Sequence, residues 1–241
     1  MEWFKTWFNS PYYHLLYQNR DFKEAEDFLL KLLEALKLPA ASSIIDLACG
    51  KGRHSIFLNA AGHKVLGLDL SEESIYADKN YENEHLEFRV HDMRDPIDSE
   101  PVDAVFNLFT SFGYFTDAKD DEKVFKAVSD VLKPGGYFVL DFLNREQVIS
   151  SLVPKTILER GEITFHIEKQ IAQPYVRKEI RFEAEGKDHF FFEQVKLHTQ
   201  EDIEQLAGKF ELEKIFQWGD YDLNPFVKEA SPRSITVFRK K

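Results

Sequence analysis

Three aspartates occupy comparable positions in this sequence, each at the end of a short apolar segment. They are Asp46, Asp69 and Asp92, and a turn of small residues, Ala-Cys-Gly-Lys-Gly at 48–52, follows the first of them. Carboxylates accept hydrogen bonds from hydroxyl and amino groups. Glycines let the backbone approach a ligand closely and adopt angles that a side chain forbids. Together these residues predict a site for a ligand that carries hydroxyl and amino groups.

A nucleoside fits this description better than a dinucleotide does. Dinucleotide sites place three glycines in the pattern G-x-G-x-x-G, so that the pyrophosphate lies on a helix N-terminus. The position of the third glycine is occupied here by Ser55 if the pattern starts at Gly50, or by Arg53 if it starts at Ala48. Asp46 would repel a pyrophosphate but attract an ammonium group, and Asp69 is placed to bind the two hydroxyls of a ribose. The residues therefore favour a ribose with a cationic end.

The elements that position these residues alternate between strand and helix. We predict strands at 43–48, 64–70, 86–91, 103–109 and 137–142. Helices are predicted at 22–36, from Arg53 to Gly62, after Ser71 and after Asp117. This alternation is typical of a parallel sheet with right-handed crossovers. In such sheets ligands bind beyond the carboxyl ends of the strands, where all three aspartates lie.

The pattern changes after about Pro154, where strands follow one another without helices. We expect an antiparallel set at 156–170, 175–185 and 189–198, then a helix capped by Thr199 and two final strands at 210–218 and 234–239. The sequence thus predicts a single domain of residues 1–241. Its parts are an N-terminal helical lid (1–38), a ligand-binding core (43–150), an inserted antiparallel β region (155–198) and a C-terminal helix with strands (199–241) that completes the core sheet.

The sequence resembles a known family at four points. The run 46–52, Asp-Leu-Ala-Cys-Gly-Lys-Gly, is similar to motif I of the class I S-adenosylmethionine-dependent methyltransferases, with Ala48 in place of the first glycine. Residues 69–71 resemble the ribose-binding segment of that family, residues 91–93 its adenine-binding segment, and residues 132–136 its turn before the fifth strand. The resemblance implies an α/β fold with a seven-stranded, mostly parallel Rossmann-like sheet in the order 3-2-1-4-5-7-6, whose last strand we assign to 234–239.

The same resemblance implies S-adenosyl-L-methionine as the cofactor. Its implied contacts are Tyr17, Asp46, Ala48, Cys49, Gly50, Gly52, Asp69, Leu70, Asp92, Met93, Asn107 and Phe109. Asp46 and the turn would hold the methionine part, Asp69 the ribose, and Asp92 the adenine amino group. Asn107 and Phe109 would lie beside the sulfonium. No metal is expected.

Catalysis by such a cofactor requires the protein to position a nucleophile, because the cofactor supplies the reactive methyl group. We take Tyr114, Tyr13 and His14 as candidate catalytic residues, with Tyr13 also a rival of Tyr17 for contact with the cofactor. The alternative for each aromatic residue is simple packing on the core. The inserted β region could cover the acceptor site or form the interface of a homodimer.

Composition excludes several classes of function. The chain has 241 residues, with 31 Lys and Arg against 42 Asp and Glu and a net charge of −11, which argues against a nucleic-acid partner. One cysteine excludes a disulfide framework. No segment is long and apolar enough to span a membrane, and the start lacks signal-peptide features, so we expect a cytoplasmic location.

The sequence therefore predicts a methyltransferase that modifies nitrogen or oxygen of a small-molecule acceptor. Two alternatives remain open. One is a non-catalytic module that binds S-adenosylmethionine. The other is an NAD(P)-dependent oxidoreductase on a Rossmann sheet, which the missing third glycine disfavours.

Overall fold

The computed structural model of this protein describes residues 2–18 and 22–241. Its first helices are α1 (Trp3–Phe8), α2 (Pro11–Leu16) and α3 (Phe22–Leu36). The hydroxyl of Ser10 caps α2 by accepting a hydrogen bond from the backbone N–H of Tyr12, and proline stands in the first turn of that helix. The helix predicted over 22–36 is confirmed.

The strands follow the predicted alternation. They are β1 (Ser43–Leu47), β2 (Lys64–Asp69), β3 (Leu86–Val90), β4 (Val102–Asn107), β5 (Leu132–Leu143), β6 (Lys155–Arg160), β7 (Ile163–Ala172), β8 (Tyr175–Ala184), β9 (Lys187–Lys196), β10 (Leu212–Trp218) and β11 (Arg233–Lys240). The remaining helices are α4 (Arg53–Ala60), α5 (Glu72–Asp78), α6 (Ala118–Val131), α7 (Arg145–Ser150) and α8 (Gln200–Gly208), and a 3₁₀ turn covers Lys79–Tyr81.

The main sheet has seven strands in the order β3-β2-β1-β4-β5-β11-β10. Strands β1 to β5 are parallel, and β11 is antiparallel to both β5 and β10. This order confirms the predicted Rossmann-like fold. Apolar cores cover both faces of the sheet: Ile44 packs with α3 and α4 residues, and Ile45 packs with α6 and α8 residues, because successive side chains of a strand point to opposite faces.

The inserted sheet has four antiparallel strands, β6 to β9, in sequence order. The prediction of one strand over 156–170 is wrong, because a two-residue turn, Gly161-Glu162, divides it into β6 and β7. Gly161 has a φ of 58°, a left-handed conformation that glycine adopts without strain. Helix α7 has no counterpart among the predicted elements, and β5 begins at Leu132, five residues before the predicted start at Tyr137.

One face of the inserted sheet packs against the N-terminal helices. A third apolar core joins Trp7 of α1 and Leu16 of α2 to Phe165, Ile180 and Phe182 of the inserted strands. All five of these side chains are buried. The inserted sheet therefore fixes the position of α1 and α2. Within the described ranges, no helix combines the length and apolar character that crossing a bilayer requires.

Candidate functional site

A cavity of about 390 Å³ lies at the carboxyl ends of β1 to β4, within the usual size range of small-molecule sites. We call the part formed by strand ends and the following turns the sheet wall; it comprises Leu47, Ala48, Cys49, Gly50, Lys51, Arg53, His54, Asp69, Leu70, Ser71, Ser74, His91, Asp92, Met93, Leu108 and Phe109. The helical wall comprises Phe4, Phe8, Tyr13, His14, Tyr17 and Gln18. Ser111, Tyr114 and Phe115 complete the lining from the loop after β4.

The turn after β1 uses left-handed backbone at three positions. Ala48, Gly50 and Gly52 have φ values of 62°, 57° and 59°. A Cβ atom added to Gly50 would meet no heavy atom within 4 Å, whereas one added to Gly52 would lie 2.7 Å from the ring of Phe88. Gly52 does not line the cavity but packs closely against Phe88 of β3, and its cofactor contact stays a prediction. Burial raises the pKa of the Cys49 thiol well above its usual value, so this cysteine is not an activated nucleophile.

Asp69 connects the ends of β1 and β2. One carboxylate oxygen accepts a hydrogen bond from the Gly50 N–H (2.8 Å), and the other accepts one from the Ser71 N–H (2.8 Å). Burial raises the pKa of this carboxyl, and the two backbone hydrogen bonds oppose that rise. A carboxylate has about four lone-pair sites, so Asp69 can accept a hydrogen bond from a further donor. The prediction that Asp69 faces the ligand is therefore compatible with its geometry.

Asp46 occupies a different place from the one predicted. It is 1% exposed and does not line the cavity, and its carboxylate accepts a hydrogen bond from the Ser55 hydroxyl (2.6 Å). It thus joins β1 to α4, and its contact with the methionine part of the cofactor stays a prediction. Burial raises the pKa of Asp46 to about 6. Burial and the charges of Asp69 and Asp46 also raise the pKa of Asp78, which is 2% exposed, to about 7.

The end of β3 presents Asp92, Met93 and His91 to the cavity. Both carboxylate oxygens of Asp92 accept hydrogen bonds from the Arg94 guanidinium (2.9 and 2.5 Å), which also contacts Glu2 (2.5 Å). Burial opposes ionisation of Asp92, but Arg94 outweighs it and lowers the pKa of that carboxyl. The Nε2 atom of His91 is buried and has no hydrogen-bond partner among the residues that the structure describes. His91 was not among the predicted contacts, although it adjoins Asp92.

Asn107 and Phe109, both predicted to lie beside the sulfonium, have different positions at the end of β4. Asn107 does not line the cavity; its amide donates to the Leu47 carbonyl (2.8 Å) and joins β1 to β4. Phe109 does line it, with its ring stacked on His54 (5.1 Å) and the Arg53 guanidinium 4.4 Å from the ring centre. Arg53 is a cavity residue that the sequence did not single out, because an arginine at a helix start is also typical of an exposed surface.

The helical wall is joined to the inserted sheet by Glu193 of β9. Its carboxylate accepts hydrogen bonds from the Tyr17 hydroxyl (2.6 Å) and the Trp7 indole (2.8 Å), and it lies 3.3 Å from the Lys178 ammonium. Lys178 also donates to the Tyr17 hydroxyl. These contacts fix the position of the Tyr17 side chain at the cavity. Nothing near Glu193 in sequence predicted this role.

The candidate catalytic residues all reach the cavity. Tyr13 and His14 line it from α2, and Tyr114 lines it from the loop after β4. The Tyr114 hydroxyl donates to the carbonyl of Thr110, so its proton is already engaged within the loop. The predicted contacts that do not line the cavity are Asp46, Gly52 and Asn107.

Comparison with known proteins agrees with this geometry. Residues 44–136 match a family described as a methyltransferase domain. Over this range the chain is similar to that family. The match begins in β1 and ends in β5, and so includes the sheet wall.

Two curated relatives illustrate the similarity. The YqeM protein of Bacillus subtilis is 33% identical over 145 residues, which cover 59% of this chain and 58% of the relative. A dTDP-3-amino-3,4,6-trideoxy-alpha-D-glucopyranose N,N-dimethyltransferase of Streptomyces venezuelae is 30% identical, covering 55% of this chain and 56% of the relative. The chain thus spans little more than half the length of these relatives.

Solved structures share the fold over nearly the whole chain. An S-adenosylmethionine-dependent methyltransferase from Clostridium acetobutylicum superimposes with a TM-score of 0.80 at 23% identity, covering 95% of this chain and 96% of that one. CalS10, an amino pentose methyltransferase from Micromonospora echinaspora solved with S-adenosylmethionine bound, gives a TM-score of 0.73 at 19% identity, with 93% of both chains covered. The methyltransferase fold therefore includes the inserted sheet and the N-terminal helices, which lie outside residues 44–136.

Proposed function

We propose that this protein transfers a methyl group from S-adenosyl-L-methionine to nitrogen or oxygen of a small-molecule acceptor. The observation that carries the proposal is the convergence of four strand ends on one cavity, within a domain of the methyltransferase family. The nucleoside needs a glycine turn, a carboxylate for its ribose and an apolar surface for its adenine, and the sheet wall offers Gly50, Asp69, Leu70 and Met93 for these parts.

The residues of the sheet wall fit the cofactor part by part. The open side of Gly50 leaves room for the methionine portion against the backbone. Asp69 would accept hydrogen bonds from the ribose hydroxyls, while Leu70 and Met93 would cover the adenine ring. The unpartnered Nε2 of His91 offers an additional polar contact at that end. When bound, the cofactor supplies an electrophilic methyl group on its sulfonium.

The acceptor would bind on the aromatic side of the cavity. Phe4, Phe8 and Tyr114 form ring contacts with Trp3, and Phe8 also contacts Tyr13. An aromatic lining of this kind would keep water away from the reacting atoms, and exclusion of water favours methyl transfer. We assign Tyr13, His14 and Tyr114 to the acceptor side, as groups that orient the acceptor or take up its proton. Relatives named as amino sugar N,N-dimethyltransferases support an amine acceptor, and a relative named as a ubiquinone biosynthesis O-methyltransferase supports a hydroxyl acceptor.

The other proposals concern organisation and location. We propose that residues 1–241 act as one domain in the cytoplasm, with no nucleic-acid partner, and that the inserted region closes the cavity. Its packing on α1 and α2 supports this role. Homodimer formation would use the other parts of that sheet, where Ile157 and Phe190 are exposed.

Calorimetric titration tests the cofactor. We expect S-adenosylmethionine and S-adenosylhomocysteine to bind with one site per chain and NAD not to bind. Binding of NAD alone would overturn the proposal in favour of an oxidoreductase.

A screen with radiolabelled methyl groups then tests transfer, using amines, amino sugar nucleotides and phenols. Incorporation of label into any of these acceptors supports the enzyme. Tight cofactor binding without transfer to any of them would favour the non-catalytic module.

A further inference from the structure

An ion pair between a buried aspartate and a partly buried arginine lies behind the sheet wall. Asp141 of β5 is fully buried, and its carboxylate lies 2.8 Å from Nε and 2.7 Å from Nη2 of Arg233 in β11. The two strands are antiparallel, with Asp141 opposite Ile235, so Arg233 reaches the carboxylate diagonally on the same face. Neither member of the pair lines the cavity. Their separation in sequence is large, yet both lie against the turn that follows β4.

That turn has an unusual backbone. Phe109 and Thr110 are consecutive non-glycine residues with φ values of 61° and 60°. Residues with a Cβ atom disfavour this left-handed region, because the Cβ approaches the following carbonyl too closely. Such conformations persist only where the surroundings hold them. A specific set of contacts must therefore maintain this turn.

The ion pair supplies those contacts. The Phe109 N–H donates to the Asp141 carboxylate (2.8 Å), and the Thr110 N–H donates to the Asp141 carbonyl (3.1 Å). Arg233 donates to the Thr110 hydroxyl (2.6 Å). The Tyr221 hydroxyl donates to the same carboxylate (3.1 Å), and the Tyr221 ring stacks on Phe109 at 5.0 Å. Both the backbone and the ring of Phe109 are thus held by groups that converge on Asp141.

From this geometry we infer that Asp141 and Arg233 are positioning residues, which hold the Phe109–Thr110 turn so that Phe109 and the loop to Tyr114 form the cavity wall that the cofactor needs. This inference rests on the proposed function for its ligand, but the hold on the turn is a property of the free protein. Positioning requires both members of the pair. An apolar residue at 141 would leave the Phe109 N–H without its acceptor, and an apolar residue at 233 would leave the Thr110 hydroxyl without its donor and Asp141 without its counter-charge.

Binding of S-adenosylhomocysteine and hydrogen exchange test this inference together. Arg233→Met is expected to weaken binding on the order of tenfold and to accelerate amide exchange at 108–111. Arg239→Met, which removes an exposed arginine from the same strand, is the matched control and should change neither.

A second substitution separates positioning from loss of stability. Thr110→Gly in the Arg233→Met background should restore much of the lost affinity, because glycine adopts the left-handed conformation without being held. A purely structural role of Arg233 would lower the unfolding temperature without such recovery. Unchanged exchange at 108–111 in Arg233→Met, or no recovery by Thr110→Gly, would overturn the inference. Absence of binding by the unaltered protein would instead overturn the proposed function, and exchange would still decide the role of the pair.

Discussion

The sheet wall presents backbone groups and carboxylates to the cavity, whereas the helical wall presents aromatic side chains. The sheet wall is fixed by strand pairing: β1 pairs with β2 and β4 in register, and Asp69 and Asn107 add hydrogen bonds between their ends. The helical wall is fixed by an apolar core with the inserted sheet and by the polar cluster at Glu193. One wall is therefore part of the sheet itself, and the other is attached to it.

This difference has consequences for stability and for motion. Disturbing the sheet wall disturbs strands that are buried on both faces, so its changes should affect global unfolding. The helical wall is held by side-chain contacts and not by strand pairing, so its changes should appear as local opening. Local opening of this wall is also the simplest route for a ligand to enter the cavity.

The largest effect on stability is expected at Gly52, in the turn after β1 that supports the sheet wall. Gly52→Ala combines a left-handed conformation with a Cβ atom 2.7 Å from the Phe88 ring, and should lower the free energy of unfolding by about 2–5 kcal/mol. Gly50→Ala is the matched control, since its φ is similar but its Cβ meets nothing; its loss should be about 1–2 kcal/mol. Urea denaturation measures both. Equal losses would show that packing against β3 does not require Gly52.

The acids behind the sheet wall should make stability depend on pH. The pKa of Asp78 is raised to about 7 in the folded state, from an ordinary value of 3.8. Because the folded state then binds more protons than the unfolded state, stability should fall as the pH rises from about 4 to about 7. The free energy of unfolding should decrease by roughly 2–4 kcal/mol over this window.

Asp78→Asn tests this assignment. The substitution removes the ionisation that burial opposes, so it should stabilise the protein more at pH 8 than at pH 5. Glu168→Asn, on an exposed position of β7, serves as the control. Urea denaturation at the two pH values measures the effect, and an equal gain at both would assign the pH dependence to other groups.

Much of the sheet wall could be predicted from the sequence because its determinants are local. A strand, a turn and a helix within residues 43–60 suffice to place Gly50, and the end of β2 suffices for Asp69. Sequence could not show that Asp46 and Gly52 face the interior, because this depends on what packs beside them, namely Ser55 and Phe88. The same motif therefore supplies both residues that line the cavity and residues that pack internally.

The contacts that come from distant segments could not be predicted. Glu193 reaches Tyr17 across 176 positions, and Arg233 reaches Asp141 across 92. Their partners are decided by the order of strands in two sheets, and neither residue belongs to a local pattern. The turn between β6 and β7 was missed for a related reason, since one glycine in an alternating segment is compatible with a continuous strand.

An intermediate effect is expected for Asp69 in the sheet wall. Asp69→Asn keeps the shape but removes the charge and supplies only one acceptor oxygen for two backbone donors. We expect S-adenosylhomocysteine affinity to fall by about 1.5–3 kcal/mol, the range for hydrogen bonds to charged groups. Asp98→Asn, an exposed aspartate outside the cavity, is the control. Unchanged affinity in calorimetry would exclude Asp69 from the ribose site.

The smallest global effect is expected at Glu193, which holds the helical wall. Glu193→Gln keeps one acceptor for Tyr17 or Trp7 but removes the charge beside Lys178. We therefore expect the free energy of opening of the helical wall to fall by about 1–2 kcal/mol. Because the cluster joins α1 and α2 to β8 and β9, the loss should appear mainly as faster hydrogen exchange in residues 3–16. Strands β1 and β4 should keep their protection, whereas Gly52→Ala should reduce it. Uniform acceleration across the main sheet in Glu193→Gln would show that the two walls unfold together, and that the helical wall does not open separately.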